Sequence, residues 1–285
     1  MMTEQQWPSP AKINLCIKIN RQRPDGYHDI QTVFQLLEWG DTLRVNCIKK
    51  NQLRRIGSNL GIPEADDLII RAARLLKQET QCSLGAEIQV VKRIPAGAGL
   101  GGGSSNAATV LLVLNKLWGC GLDLNELARI GLKLGADVPV FVAGRSAFAE
   151  GVGEKLCPID LGERHYLIVM PDIHVSTGAV FSSTDLPRDS KKISLKDALS
   201  ENVQNDCEPT VLRLIPELAE VKKMLMEFSN HWQPMLTGTG SAFFLRFEGI
   251  KEAEAAAKKI KCRYNVRAVR GVDRSPLHTL LDMVN

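Results

Sequence analysis

One stretch constrains this chain more than any other: Pro95 to Ser105, PAGAGLGGGSS, with five glycines in eleven residues. The residues before it, Ala86–Ile94 (AEIQVVKRI), read as a strand, and Ser104–Trp118 reads as a helix rich in Ala, Leu and Val. A serine is available there as N-cap. Glycines let a backbone turn sharply and approach a ligand without a Cβ in the way. Consecutive N–H groups then converge on an anion, and the helix directs its positive end into the same space. Strand, glycine loop and helix together form a phosphate cradle. Gly97, Gly99 and Gly102 also spell G-x-G-x-x-G, the string of dinucleotide folds, but Asp123 opens a helix where that motif wants an acidic strand end. A Walker A loop needs a lysine that is absent here. A plain flexible linker is the remaining reading, and linkers are not bounded by a strand and a capped helix.

The rest of the chain alternates short strands and helices. Ala11–Asn20 has apolar residues at every second position, a half-buried strand, and Arg21–His28 carries a Pro-Asp-Gly turn. Strands are expected at Thr42–Ile48, Tyr166–Met170 and Val266–Arg270, and a glycine turn leading into a strand at Met235–Phe247. Helical spacing marks Leu68–Leu76, 209–228 and 251–260. Asp123-Leu-Asn-Glu126 is a capping box, with Gly135 ending its helix, and Val175–Leu186 reads as an exposed loop. Both halves mix the two element types with hairpin-length links, so the expected class is α+β, divided near residue 160 into domains 1–160 and 161–285.

Composition excludes several classes. With 36 basic and 32 acidic residues the net charge is +4, and no basic block marks a nucleic-acid contact. The longest apolar run, Ala107–Leu114, is too short to span a bilayer. Seven cysteines without a C-x-x-C pair read as reduced thiols, and five scattered histidines give no metal spacing. The start, MMTEQQWPSP, has no apolar h-region of a secretory leader. A cytoplasmic protein without nucleic-acid or membrane partners is expected. No pattern in the sequence speaks to its oligomeric state.

Pro95-x-x-x-Gly99-Leu100-Gly-Gly-Gly-Ser104-Ser105 resembles the phosphate loop of the GHMP kinases, small-molecule kinases named for galactose, homoserine, mevalonate and phosphomevalonate. Pro10-Ala-Lys12-Ile-Asn14, Arg23-Pro-Asp25-Gly26-Tyr27-His28, Gly135-Ala-Asp137-Val-Pro139, Asn205-Asp206-x-Glu208 and Thr237-Gly-Thr-Gly240 resemble further family segments, in order. The resemblance implies a two-domain GHMP fold, with a ribosomal-protein-like nucleotide-binding domain followed by an α/β sandwich. It implies transfer of phosphate from ATP, with Mg²⁺, to a hydroxyl of a cytidine diphosphate-linked methylerythritol in non-mevalonate isoprenoid synthesis.

Residue by residue, it assigns ATP to Pro95, Ala96, Gly97, Ala98, Gly99, Leu100, Gly101, Gly102, Gly103, Ser104 and Ser105, with either serine hydroxyl near Mg²⁺. Asp137 becomes the base and Lys12 its partner. Asn14, Tyr27, His28, Thr177 and Phe181 become the acceptor site, two of them rings flanking the cytosine. No residues are assigned as protein metal ligands. Plainer readings stand beside these: Asp137 as the N-cap of a helix containing Pro139, Lys12 as a solvated lysine, Tyr27 and His28 as loop surface. One departure is visible. The family has Asn-Leu before the helix at 68–76, where this chain has Asp67-Leu68, which would alter a contact to adenine.

Overall fold

The structure, a computed structural model, describes residues 5–57, 61, 63–200, 203–229 and 231–284. The first four residues, part of the stretch read as carrying no leader, lie outside them. Two long strands open the fold, β1 (Gln6–Gln22) and β2 (His28–Ile48), paired antiparallel with register shifts at Pro10/Lys12, Asn14/Ile17 and Ile19/Arg21. β3 (Leu53–Ile56), α1 (Leu68–Thr80) and β4 (Gly85–Val91) follow, then α2 (Gly102–Leu117), α3 (Leu124–Leu132) and α4 (Val138–Ala143). A hairpin, β5 (Ala147–Glu150) and β6 (Lys155–Pro158), leads to β7 (Arg164–Met170). Four short helices come next: α5 (Thr177–Ser182), α6 (Leu195–Ala198), α7 (Glu208–Leu214) and α8 (Pro216–Met226). The chain closes with β8 (Met235–Leu236), β9 (Phe243–Phe247), α9 (Ile250–Ile260), β10 (Asn265–Val272) and α10 (Pro276–Met283).

The described strands form one sheet with the path β3-β4-β2-β10-β7-β9-β8, and β1, β5 and β6 join beside β2. The late strand β10 sits between the early β2 and β7, pairing Val272 with Leu36 and Val269 with Tyr166. This is an α+β arrangement. The glycine loop leaves β4, which pairs with β2 and β3, and among the described residues no strand returns beside it after α2, so the dinucleotide reading falls. One apolar cluster packs α1–α4 against β2 and β4 through Leu43, Ile88, Leu111 and Val140. A second joins β7 and β9 to α7–α9 through Leu167, Phe243, Val211 and Val221. A third draws on both halves, with Ile13, Val33, Leu100, Tyr166 and Val269.

Three expectations change. α2 begins at Gly102 with Gly101, in a left-handed conformation, as its N-cap, so no serine caps it. α3 ends at Leu132, before Gly135, and its capping box of Asp123 and Glu126 is present. Val175–Leu186 is not an exposed loop: Ser176 caps α5, and Val175, Val180 and Leu186 are buried. No helix among the described residues is long and apolar enough to cross a membrane.

Candidate active site

The glycine loop is held from behind. Leu100 is buried in the third cluster and its carbonyl accepts from the Lys12 amide at 3.1 Å. The Ala98 carbonyl accepts from the Ala242 amide at 3.1 Å, and the Gly99 carbonyl from the Thr237 hydroxyl at 3.3 Å. Three successive carbonyls are therefore committed to β1 and the 237–242 turn. The amides of Gly97, Gly99 and Gly101 have no hydrogen-bond acceptor among the described residues, which leaves them for an anion. Gly99 and Gly101 take φ of 73° and 70°. A Cβ on Gly99 would lie 2.1 Å from the Thr237 carbonyl oxygen, and one on Gly101 2.9 Å from the Phe141 ring. Both positions require glycine by conformation and by space.

Two cavities share this loop as a wall. One, of about 320 Å³, is lined by the loop from Pro95 to Ser104, by Asp67 and Leu68 at the start of α1, and by Lys92. The other, of about 450 Å³, is lined by Lys12, Asn14, Tyr27, His28, Asp137, Thr177 and Phe181. Gly97, Gly99 and Ser104 face both. Ser105 faces neither: it is fully buried and its hydroxyl meets that of Ser9 at 2.9 Å. Of the two candidate serines, only Ser104 is available to a bound group.

In the first cavity, Lys92 joins Asp41 and donates to Asn106 at 3.0 Å. Buried Asp41 also accepts from the Arg93 and Ile94 amides at 2.6 and 2.9 Å, which fixes the start of the loop. Asp67 caps α1 through the Ile69 amide at 3.0 Å and pairs with Arg55 at 2.6 Å. Its carboxylate is thus neutralised within the protein. Sequence reasoning missed Lys92, although its place at the end of β4, three residues before the loop, was a usable signal.

In the second cavity, the Lys12 ammonium lies 3.1 Å from the Asp137 carboxylate and donates to Asn14 Oδ1 at 2.6 Å. Lys12 is 2% exposed, so it is not a solvated lysine. Asp137 occupies the N-cap position of α4, with Pro139 in the first turn, but its side chain makes no capping hydrogen bond. The carboxylate turns to Lys12 and the cavity instead. One face of the pair is protein, and the other opens beside Ser104. A buried ammonium at this place can steady an alkoxide forming nearby.

The far end of this cavity is aromatic. The His28 and Phe181 rings stand 5.0 Å apart, tilted by 38°. Burial, aided by the charge of Arg188, holds the His28 imidazole below its ordinary pKa of 6.5, and its Nε2 is buried without a partner. Tyr27, fixed by the Arg23–Tyr27 turn, is 62% exposed at the mouth. The Thr177 and Thr239 hydroxyls meet at 2.9 Å. Asn205, Asp206 and Glu208 do not reach the cavity. Asn205 donates to the Leu236 and Gly238 carbonyls at 2.9 and 2.7 Å, Asp206 pairs with Lys18 at 2.8 Å, and Glu208 accepts from the Leu236 amide at 2.7 Å. They clamp the glycine turn to β1.

Residues 67–145 match the GHMP kinases N terminal domain. A 4-diphosphocytidyl-2-C-methyl-D-erythritol kinase of Shewanella pealeana is 46% identical over 95% of each chain. One from Xanthomonas euvesicatoria pv. vesicatoria is 49% identical over 97% of this chain and 93% of its own. A solved 4-(cytidine 5'-diphospho)-2C-methyl-D-erythritol kinase superimposes with a TM-score of 0.82 at 34% identity, covering 94% of this chain and 99% of that one.

Proposed function

Since this chain belongs to the 4-diphosphocytidyl-2-C-methyl-D-erythritol kinases of the GHMP kinase family, we propose that it catalyses the reaction its relatives are named for. ATP donates its γ-phosphoryl group to the 2-hydroxyl of 4-diphosphocytidyl-2-C-methyl-D-erythritol, giving the 2-phosphate and ADP in the non-mevalonate route to isoprenoids. One observation carries this reading: the glycine loop is the common wall of two cavities, and Lys12 and Asp137 face only the second.

ATP takes the first cavity, its phosphates against the loop amides and the positive end of α2. The acceptor takes the second, with its hydroxyl at Asp137 and its cytosine among Tyr27, His28 and Phe181. The hydroxyl oxygen bonds to the γ-phosphorus as the bond to the bridging oxygen breaks. Asp137 receives the hydroxyl proton and Lys12 stabilises the negative charge developing on oxygen. Asn14 and Thr177 hold polar groups of the acceptor. Mg²⁺ fits as a passenger on the nucleotide. No group of three or more His, Cys, Asp or Glu among the described residues could hold a metal, and Ser104 offers one hydroxyl beside the phosphates. When bound, the ion would neutralise phosphate charge.

In this reading residues 1–160 form the nucleotide domain with the base, and 161–285 close the acceptor site through Thr177 and Phe181. Seven cysteines without a C-x-x-C pair fit a reducing, cytoplasmic setting. A coupled ADP-release assay across the cytidylyl-methylerythritol, mevalonate, homoserine and galactose tests the assignment. Turnover confined to the first is expected, and equal turnover of another alcohol would overturn it.

A further inference from the structure

The Lys12–Asp137 pair depends on which way an asparagine amide points. Lys12 can only donate, so it needs the oxygen of Asn14, and the 2.6 Å contact is to Oδ1. An amide rotated by half a turn would present its NH₂ to an ammonium. Something on the other side of Asn14 must forbid that rotation.

That group is the hydroxyl of Thr32, which accepts from Asn14 Nδ2 at 2.9 Å. A threonine hydroxyl is normally ambivalent, because it can donate or accept. Here its proton is committed. Thr32 donates to the Cys16 carbonyl at 2.6 Å, and a carbonyl can only accept. The carbonyl needs this donor because Cys16 lies in the register shift between Asn14 and Ile17, where the regular β1–β2 ladder is interrupted. Thr32 itself sits in β2 opposite Ile17, fully buried. A break in strand register thus fixes a hydroxyl, the hydroxyl fixes an amide, and the amide fixes an ammonium.

We infer that Thr32, through Asn14, is a positioning residue for the proposed phosphoryl transfer: its hydroxyl orients the amide so that oxygen faces Lys12 beside Asp137. This rests on the kinase reading above. Thr32 does not line the acceptor cavity, so it acts without touching the substrate, and its polar link toward the reacting groups is Asn14. The other polar link to Asn14, from its backbone amide to Thr237 at 3.0 Å, holds the main chain and leaves the side-chain amide free to rotate.

The test uses the intact enzyme. Thr32→Val removes the hydroxyl at nearly constant volume, and Thr32→Ser keeps it while removing the methyl. Thr32→Val should lower kcat about 10- to 100-fold, the scale of a misplaced catalytic group. KM for ATP should stay within about two-fold. Thr32→Ser should restore most of kcat. In an Asn14→Ala background, Thr32→Val should cost little more, since the two act in series. Full turnover by Thr32→Val overturns the inference, as does failure of Thr32→Ser to restore turnover in a folded protein. So does an undiminished Thr32→Val effect without Asn14. Absence of turnover in the wild type would instead overturn the kinase reading, so the two failures are distinct.

Discussion

The two ends of the proposed acceptor cavity are built on opposite plans. Behind the catalytic end Lys12, Asn14 and Thr32 are 3% exposed or less, and their polar side-chain groups pair with one another, with Asp137 and with the Cys16 carbonyl. At the recognition end Tyr27 projects into solvent, and the buried His28 Nε2 has no partner. Reacting groups gain from being placed before substrate arrives, because a fixed dipole needs no reorganisation during the reaction. Recognition groups gain from being left unsatisfied, because the correct ligand then supplies what the wrong one cannot. The difference should separate kcat effects from KM effects along a single cavity.

The sharpest way to break the comparison is at its catalytic end. Asp137→Asn keeps shape and removes the proton acceptor, and general-base catalysis is typically worth about 10²–10⁴-fold. kcat should fall on that scale while both substrates still bind by calorimetry. Unchanged turnover would reduce Asp137 to a helix-start residue. The wall between the cavities comes next. Gly101→Val, at φ 70° and with Phe141 and Lys12 against the new side chain, should weaken ATP binding much more than acceptor binding. Equal weakening of both, together with loss of the folded circular-dichroism spectrum, would assign the glycine to folding alone.

The recognition end should answer in affinity. Tyr27→Ala and Phe181→Ala each remove a stacking face worth about 1–3 kcal/mol. They should raise KM for cytidylyl and uridylyl analogues alike. His28→Ala should instead narrow the preference for cytosine, because an edge-reading contact left unpaired costs about 1–3 kcal/mol against the wrong base. A wild type indifferent to the base would show that no edge is read.

The smallest expected effect is on stability. Burial, with the charge of Arg274 adding to it, lowers the His278 pKa from 6.5, although a hydrogen bond to the Val142 carbonyl opposes the shift. His28 is lowered too. Unfolded histidine then binds protons more readily than folded. The stabilisation is complete above about pH 6.5 and is lost as pH falls through the depressed folded values. Urea unfolding at several pH values should show this slope, flattened in His278→Gln. A slope unchanged in that variant would remove His278 from the account.

Much of the site was legible because its chemistry is local. The glycine loop, Lys12 with Asn14, and Asp137 each sit in a short recognisable segment. What was not legible depends on pairing across the chain. The sequence suggests a strand only from Thr42, yet β2 begins at His28, because its first half is buried on β1 and lacks clean alternation. Ser104 and Ser105 are indistinguishable in sequence, and the helical turn of about 100° between neighbours decides which faces the cavities and which meets Ser9. Thr32 gives no signal at all, since its role arises from a register shift in the opposite strand. Buried Val175, Val180 and Leu186 were hidden by the polar residues between them.

The hold on the glycine loop has a consequence for engineering. Two of its carbonyl anchors, Thr237 and Ala242, come from beyond residue 160, and the turn bearing Thr237 is itself gripped by Asn205. A hybrid joining the first half of this chain to the second half of a distant kinase would inherit the glycines without their restraints. It should fold locally yet bind nucleotide poorly until residues 205 and 237–242 are transplanted with the loop. The unit that can be exchanged between such enzymes is therefore this loop-and-clamp assembly, which is scattered along the chain and contiguous only in space.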